Sequence, residues 1–591
     1  MHEYPRRRSA ARWLAILTMF AAPFAAVADT STTPPSGYLK ASGKDIVDGS
    51  GRPVILRGMG LGGWMLQEGY MLGLGNLGQQ HVIRREIEAL IGAERAEAFY
   101  TAWRANHVRE DDIRALAEWG YNSVRLPMHF NLFTLPVDEE PVPGEHTWLE
   151  TGFALTDQLL AWCKKYGLYL ILDLHAAPGG QGNDFAISDR DPASPSLWDS
   201  DANRVKTIAL WKKVAARYKD EPMIGGYDLI NEPNWGFADR DDKHGCAETD
   251  NRPLRQLQMD ITAAIREVDR RHMVIVEGNC WGNNYAGVLP PWDDNLVLSF
   301  HKYWNNNDRD SIAGVLELRE RYDVPVWLGE SGENSNAWFA DAIELVEGAG
   351  IGWNFWPLKK LGFNNPLEVR PNPGFQALVR YWKGEGPRPS PQAAHQALMQ
   401  LARHDIRFEN AVVHRDVVDA MLRQPHDAVA RPFTAHSLTA AGLAIGAVDY
   451  DLGRPGTAYG DDDIANYHVS TGGERTPWNR GRHYRNDGVD IATGADGTPL
   501  VELDQGEWLQ YTVAVREPGT YQLQLHVEEG AGAPSLTLSL NGGAPIELLP
   551  DDGPVRYAAP VDLEPGNQVL KVRAQRGTAR LAGLRLSALP R

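Results

Sequence analysis

Cysteine is scarce: Cys163, Cys246 and Cys280 are the only three in 591 residues. That scarcity excludes a disulfide-built scaffold, and the lack of any Cys-x-x-Cys spacing excludes the usual structural zinc sites. At most one disulfide can form, and none is expected. Positive charge is also in short supply. With 59 Lys and Arg against 77 Asp and Glu the net charge is −18, and no basic cluster follows residue 8. Binding to phosphate needs clustered Lys and Arg, so nucleic acid is excluded as a partner and a neutral or cationic substrate fits better. Long apolar runs are lacking too. The stretch Trp13–Ala25 falls short of the roughly 20 residues that a membrane-spanning helix needs.

What that stretch does have is the layout of an export signal. Arg6, Arg7, Arg8 and Arg12 precede it, and Ala26-Val27-Ala28 supplies small residues for cleavage before Asp29. Residues 1–28 are therefore expected to be removed and the protein to be secreted or periplasmic, with no membrane partner. The remaining chain has ample apolar content, 43% overall, and is long enough for two or more folded units.

From Gly37 to about residue 385, short apolar runs alternate with amphipathic stretches, the pattern of βα units around a parallel sheet. Eight runs stand out: Val54–Leu61, Ser123–Met128, Tyr169–His175, Ile224–Pro233, Met273–Asn279, Asn295–Tyr303, Pro325–Ser331 and Gly350–Leu358. Eight strands imply a closed (β/α)₈ barrel over residues 37–385. Helical periods fill Asp111–Trp119, Gly152–Tyr166, Asn203–Tyr218 and Leu254–Arg271, and one further helix is expected over His81–Arg104. Proline-rich 387–391 marks a break, and 386–443 reads as a helical connector. From 444 to 591 short Thr-, Val- and Leu-rich runs separated by turn residues predict an all-β sandwich of jelly-roll type.

In such a barrel the active site forms at the carboxyl ends of the strands. Collecting the polar residues there gives Arg125 on the second strand, His175 on the third, Asn231 and Glu232 on the fourth, His301 and Tyr303 on the sixth, Glu330 on the seventh and Trp356 on the eighth. A single charged residue closing a buried strand is as readily a salt bridge that seals the rim, but six strand ends converging on one mouth make a site. Strands four and seven lie across the ring from each other, so Glu232 and Glu330 can face one another. Two opposed carboxylates suit glycosidic cleavage, one protonating the leaving oxygen while the other attacks the anomeric carbon. Arg125 can keep Glu330 ionised, burial beside a like charge can raise the acid's pKa, and Asn231 offers an amide to a sugar 2-hydroxyl.

These motifs, Arg125-Leu-Pro, His175, Asn231-Glu232-Pro233, His301-Lys-Tyr303, Gly329-Glu330 and Trp356, resemble glycoside hydrolase family 5 over about 350 residues. The resemblance implies a retaining enzyme without cofactor or metal, Glu232 as acid/base and Glu330 as nucleophile. It places Arg125, His175, Asn231, His301, Tyr303 and Trp356 around the reacting sugar, with Trp356 as an apolar floor. Asp173–Gln181 is similar to the family's β-1,3-glucanase-like branches, which points to β-glucan as substrate and to a monomeric enzyme. Hydrolysis of mannan or xyloglucan, transglycosylation and a non-catalytic polysaccharide-binding barrel are the alternatives. The loop Ala176–Trp198 with Trp64, Trp235, Trp281, Trp304 and Trp338 is expected to close one end of the cleft.

Asp449-Tyr-Asp-Leu-Gly, Tyr484-Arg-Asn-Asp-Gly-Val-Asp490 and Gly506-Glu-Trp508-Leu-Gln-Tyr511 resemble carbohydrate-binding module family 6. Glu502 stands where that family often has a stacking aromatic, no Trp occurs in Gly553–Tyr557, and Gly446-Ala447-Val448 replaces its calcium-binding Glu-Ala-Glu. Trp508 and Tyr511 read as core residues. The sandwich is expected to pack on the barrel, or to use Trp478 or Tyr484 at another sugar site.

Overall fold

The computed structural model describes residues 36–462, 484–528, 534–551 and 556–589. Residues 1–28, expected to be an export segment, and Trp478 lie outside them.

Eight parallel strands close a barrel: β1 (Arg57–Gly60), β2 (Ser123–His129), β3 (Tyr169–Ala176), β4 (Ile224–Asp228), β5 (Met273–Glu277), β6 (Leu296–Lys302), β7 (Val326–Gly332) and β8 (Trp353–Trp356). Each pairs with the next, and β8 returns to β1 with Trp353 opposite Arg57. All eight predicted runs carry a strand. Their polar ends depart from the expected limits where the backbone turns into the site: β4 stops at Asp228 instead of Pro233, and β5 at Glu277 instead of Asn279. The barrel's amino end is plugged by the hairpin of Lys40–Ser42 and Asp45–Val47, whose Leu39 and Ile46 pack on Tyr169, Ile171, Ile275, Val297 and Trp327.

The helix expected over His81–Arg104 is two, α1 (Gln80–Ile91) and α2 (Ala93–Asn106). Gly92 separates them at φ 84°, ψ 154°, a backbone that only glycine adopts without strain. Around the barrel run α3 (Glu110–Trp119), α4 (Glu150–Tyr166), α5 (Asp201–Tyr218), α6 (Arg252–Arg266), α7 (Ala313–Tyr322) and α8 (Asn336–Gly348). The helix predicted over Leu254–Arg271 thus ends five residues early, as Asp269 caps the following turn by accepting from the Arg271 N–H. Among the described residues the β5–β6 crossover has only the single turn Asn279–Gly282.

Three more helices, α9 (Pro373–Trp382), α10 (Pro391–Gln400) and α11 (Arg415–Leu422), carry the chain across the barrel's flank. α9 and α10 share an apolar cluster with α1 and α2, through Phe375, Leu378, Leu398, Ile87 and Phe99. Val417 and Met421 of α11 pack into the barrel's own core. The connector is therefore part of the body of the molecule rather than a tether.

The C-terminal strands begin at His436–Leu438, ahead of residue 444, and form two curled sheets joined along one edge. Alternate residues of Trp508–Val515, Gly519–Val527 and Gly566–Arg576 point inward, so Leu509, Tyr511, Val513, Leu523, Leu525, Leu570 and Val572 fill a separate core. Tyr511 is fully buried in that core as expected; Trp508, on the opposite face of the same strand, is buried outside it, beneath Lys571, which corrects the reading of Trp508 as core.

Candidate active site

Because side chains alternate along a strand, residues two apart share a face. In β3 this puts Asp173 and His175 together inside the barrel mouth, where they meet Arg125 from β2, Asp228 from β4, Glu277 from β5, His301 from β6 and Glu330 from β7. Arg125 is completely buried. Its guanidinium donates to Asp228 Oδ2 at 2.8 and 2.9 Å, to Glu330 Oε2 at 2.8 Å and to Asn231 Oδ1 at 2.8 Å, with Asp173 and Glu277 at 3.3 Å. Its planar fork suits simultaneous carboxylate contacts. The ring of acids holds the guanidinium's pKa well above its ordinary value despite its burial.

The other oxygen of Glu330, Oε1, accepts from the Tyr303 hydroxyl at 2.7 Å. Both oxygens of the nucleophile candidate are thus fixed in place. Across the mouth, Glu232 sits at φ 44°, a left-handed backbone for a non-glycine residue that costs about 1–3 kcal/mol and is common where function demands it. The turn is held by Glu277 Oε2, which accepts from the Glu232 N–H at 2.7 Å, and by Asn234, which donates to the Glu232 carbonyl. His301 Nδ1 donates to Glu232 Oε1 at 2.6 Å, and its Nε2 lies 3.2 Å from Glu277.

Protonation follows from these contacts. Burial and the nearby Glu330 charge raise the Glu232 carboxyl from 4.5 to about 7, against the pull of His301. Burial works to lower the His301 ring, yet Glu277, Glu330 and Glu232 hold it well above its usual value, so it is an imidazolium. Burial also works on Glu277, but His301 and Arg125 keep it below the ordinary carboxylate range. Burial raises Asp173 and Asp228 well above theirs. His175 goes the other way: burial drives it down to about 3, leaving a neutral ring. Its tautomer is fixed by Arg125. Since Asn231 Oδ1 accepts from Arg125, Nδ2 must face His175 Nε2 at 3.3 Å, and the ring proton therefore sits on Nδ1 and is donated to Asp173 at 2.7 Å.

Trp356 closes the floor. Its ring lies parallel to His175, 2° apart with centroids 5.0 Å apart, and its Nε1 donates to the Tyr70 hydroxyl. Gly60 and Gly62 approach the indole so closely that a Cβ on either would lie 2.6 Å from a ring carbon. Gln181 ties the ends of β3 and β4 together, donating to the carbonyls of His175 and Asn231.

All eight sequence-derived residues therefore reach one mouth. Three buried acids of the same network, Asp173, Asp228 and Glu277, were not among them. Glu277 ends β5 as the others end theirs, and Asp173 and Asp228 are charges inside otherwise apolar strands, which is the signal that would have marked them. Of the five tryptophans expected to close the cleft, Trp64 and Trp338 are buried, donating to the carbonyls of Arg104 and Asn305. Trp235 is buried beneath Arg190 and Arg240. Only Trp281, stacked on His244 at 4.5 Å, and Trp304, stacked on Tyr303 at 6.2 Å, are half-exposed. Trp281 follows Cys280, which forms a disulfide with Cys246; the expectation of no disulfide is corrected, the two cysteines being brought to a Cα separation of 4.8 Å by the loops after β4 and β5.

Glu232, His301 and Glu330 are the one trio among the described residues that could hold a metal ion. With His301 protonated and both its nitrogens turned to carboxylates, the ring has no lone pair to offer, so the trio suits proton transfer rather than ligation.

A barrel whose mouth opposes two carboxylates, one raised and one paired with Arg125, defines an O-glycosyl hydrolase. Residues 89–362 match Cellulase (glycosyl hydrolase family 5), so the barrel carries a domain similar to that family. The chain is 26% identical over 440 residues to a β-xylosidase of Phanerodontia chrysosporium, covering 67% of this chain and 87% of that protein. It is 26% identical over 337 residues to endoglucanase C of Acetivibrio thermocellus, covering 46% and 90%. With a probable glucan 1,3-β-glucosidase A of Aspergillus fumigatus it shares 28% identity over 314 residues, 51% of this chain and 70% of that one.

Proposed function

We propose that this protein is a secreted, retaining β-glycoside hydrolase that cleaves β-linked glucan by double displacement, with Glu330 as nucleophile and Glu232 as acid/base. The observation that carries this reading is the spacing: a carboxylate oxygen of Glu232, one of Glu330 and a ring nitrogen of His301 all lie within 4.8 Å of one another. That closeness is in keeping with the roughly 5–5.5 Å of a retaining pair rather than the about 6.5–9.5 Å between the carboxylates of inverting enzymes.

In the first step Glu330 attacks the anomeric carbon as the glycosidic C–O bond breaks, and Glu232 transfers its proton to the departing oxygen. Oε1 of Glu232 is engaged by His301, so Oε2 is the donor. Arg125 and Tyr303 hold the Glu330 carboxylate aimed, one hydrogen bond to each oxygen. Once Glu330 is esterified its charge is gone, the Glu232 pKa falls, and Glu232 can take a proton from the water that opens the ester. One Asn231 Nδ2 hydrogen faces His175; the other is assigned to the sugar 2-hydroxyl, and Trp356 to the apolar face of the ring.

Glucan is favoured by the endoglucanase and glucan 1,3-β-glucosidase relatives, and the β-xylosidase places aryl β-xylosides beside them in the test. The test is proton NMR of the first-formed product on a panel of β-1,3- and β-1,4-glucans, mannan, xyloglucan and aryl β-glycosides. Appearance of the β-anomer from a glucan supports the reading. The α-anomer, or glucans left intact while another β-glycan is cleaved, overturns the mechanism or the substrate respectively.

A further inference from the structure

The segment after the nucleophile strand is gripped by the sandwich. Past β7 the chain runs Glu333, Asn334, Ser335 and Asn336 into α8, and all but Glu333 are buried. Asn486, in the sandwich, donates from Nδ2 to the Asn334 carbonyl at 2.8 Å and to Asn336 Oδ1 at 3.0 Å, and its own carbonyl accepts from the Asn336 N–H at 2.8 Å. Asn336 Nδ2 in turn donates to Asp487 Oδ1 at 2.6 Å and to Asp416 Oδ2 at 2.8 Å, and Asp416 also accepts from the Asn486 N–H at 2.7 Å. Asn334 reaches onward, its Nδ2 donating to the Tyr303 carbonyl at 3.1 Å. Tyr303 is the residue whose hydroxyl donates to Glu330.

From Asn334, which Asn486 grips, two paths lead to the nucleophile: along the backbone to Glu330, and through the Asn334 side chain to Tyr303. The sandwich end is itself held. Arg485 is completely buried, donates to the Asp451 carbonyl and pairs with Asp487, whose carbonyl accepts from the Tyr459 hydroxyl at 2.7 Å. Arg485, Asn486 and Asp487 belong to the very stretch that resembles a carbohydrate-binding module. Here Asn486 and Asp487 face the barrel instead of solvent, and Arg485 is buried behind them against Tyr450. Tyr484, offered as a sugar platform, has its hydroxyl donating to Asp449.

We propose that Asn486 is a positioning residue for the glycosidase reaction, so that the C-terminal sandwich completes the active site by fixing the Asn334–Asn336 turn and, through it, Tyr303 and Glu330. The inference rests on Glu330 being the nucleophile. Misplacing a reacting group by about 1 Å costs on the order of a hundredfold, so loosening this turn should act on kcat.

The test uses the full-length chain and an aryl β-glucoside. Glu330→Ala first checks the underlying reading: if it retains turnover, that reading fails whatever Asn486 does. With that control abolished, Asn486→Ala is expected to lower kcat at least about tenfold with KM within about twofold. Asn486→Ala and Tyr303→Phe should be non-additive, the double variant losing less than the product of the two. Wild-type kcat in Asn486→Ala, a loss carried by KM rather than kcat, or strictly multiplicative losses would overturn the proposal. Should Asn486→Ala not fold, Tyr459→Phe, which removes one hydrogen bond from the same loop, carries the same expectation at smaller size and the same refutation.

Discussion

Removing the charge of Glu330 while keeping its shape should lower the pKa of Glu232. Burial is the larger cause of the raised Glu232 value of about 7, and the Glu330 carboxylate is the next. At an effective dielectric of about 20, two unit charges within 4.8 Å repel by about 3.5 kcal/mol, equivalent to roughly 2.5 pKa units. Arg125 and His301 screen part of that, so in Glu330→Gln the Glu232 carboxyl should titrate roughly 1–2.5 units lower than in the wild type, between its raised value and the ordinary one. Carbon-13 NMR of protein labelled at the glutamate side-chain carboxyls reads this directly, the Glu232 signal being assigned by its loss in Glu232→Gln. The same fall is what the catalytic cycle needs on forming the ester. An unchanged Glu232 midpoint in Glu330→Gln would show that the two carboxylates do not sense each other and would refute the acid-then-base role.

Other expectations follow from the same contacts. Between pH 4.5 and about 7 the folded protein keeps a proton on Glu232 that the unfolded chain has released, so stability is full below the lower value and falls as pH rises through the upper, by roughly 3 kcal/mol. Glu232→Gln removes that dependence, so its stability relative to wild type by chemical denaturation should improve by about that amount from pH 4 to pH 8; a pH-independent difference contradicts the assignment. Gly60→Ala puts a Cβ 2.6 Å from the Trp356 ring, with an expected overpacking cost of about 1–3 kcal/mol and a KM raised by displacement of the floor. Unchanged melting temperature and KM would remove Trp356 from the floor. Cys246→Ser opens a loop with a sequence separation of 34, worth at most about 4 kcal/mol by chain entropy, and should lower stability under oxidising conditions while leaving the reduced protein unaffected.

Much of this was readable before any coordinates. The eight strands were legible because a fully buried parallel sheet leaves continuous apolar runs, and the acid/base pair because polar residues at the ends of such runs have few other reasons to be there. Glu277 shows where that reading stopped. It ends its strand as the collected residues end theirs, but its work, holding the strained turn at Glu232 and charging His301, consists of contacts to β4 and β6 that the sequence does not show. The helix over His81–Arg104 failed at Gly92, since one glycine in a helical pattern is tolerated unless tertiary packing demands a corner. The Cys246–Cys280 pair was invisible because spacing carries no information about which loops of a barrel meet. Asn486 was hidden more thoroughly still: its partners lie in another folded unit, and the motif around it pointed to sugar.

The central claim is that a covalent bond forms between the sugar and Glu330. An activated 2-deoxy-2-fluoroglucoside slows both steps but the second more, so mass spectrometry of the treated protein should show one added glycosyl unit, located by peptide mapping on the segment containing Glu330 and absent from Glu330→Gln. Labelling on any other residue, or steady turnover to an inverted product with no adduct, would contradict the account.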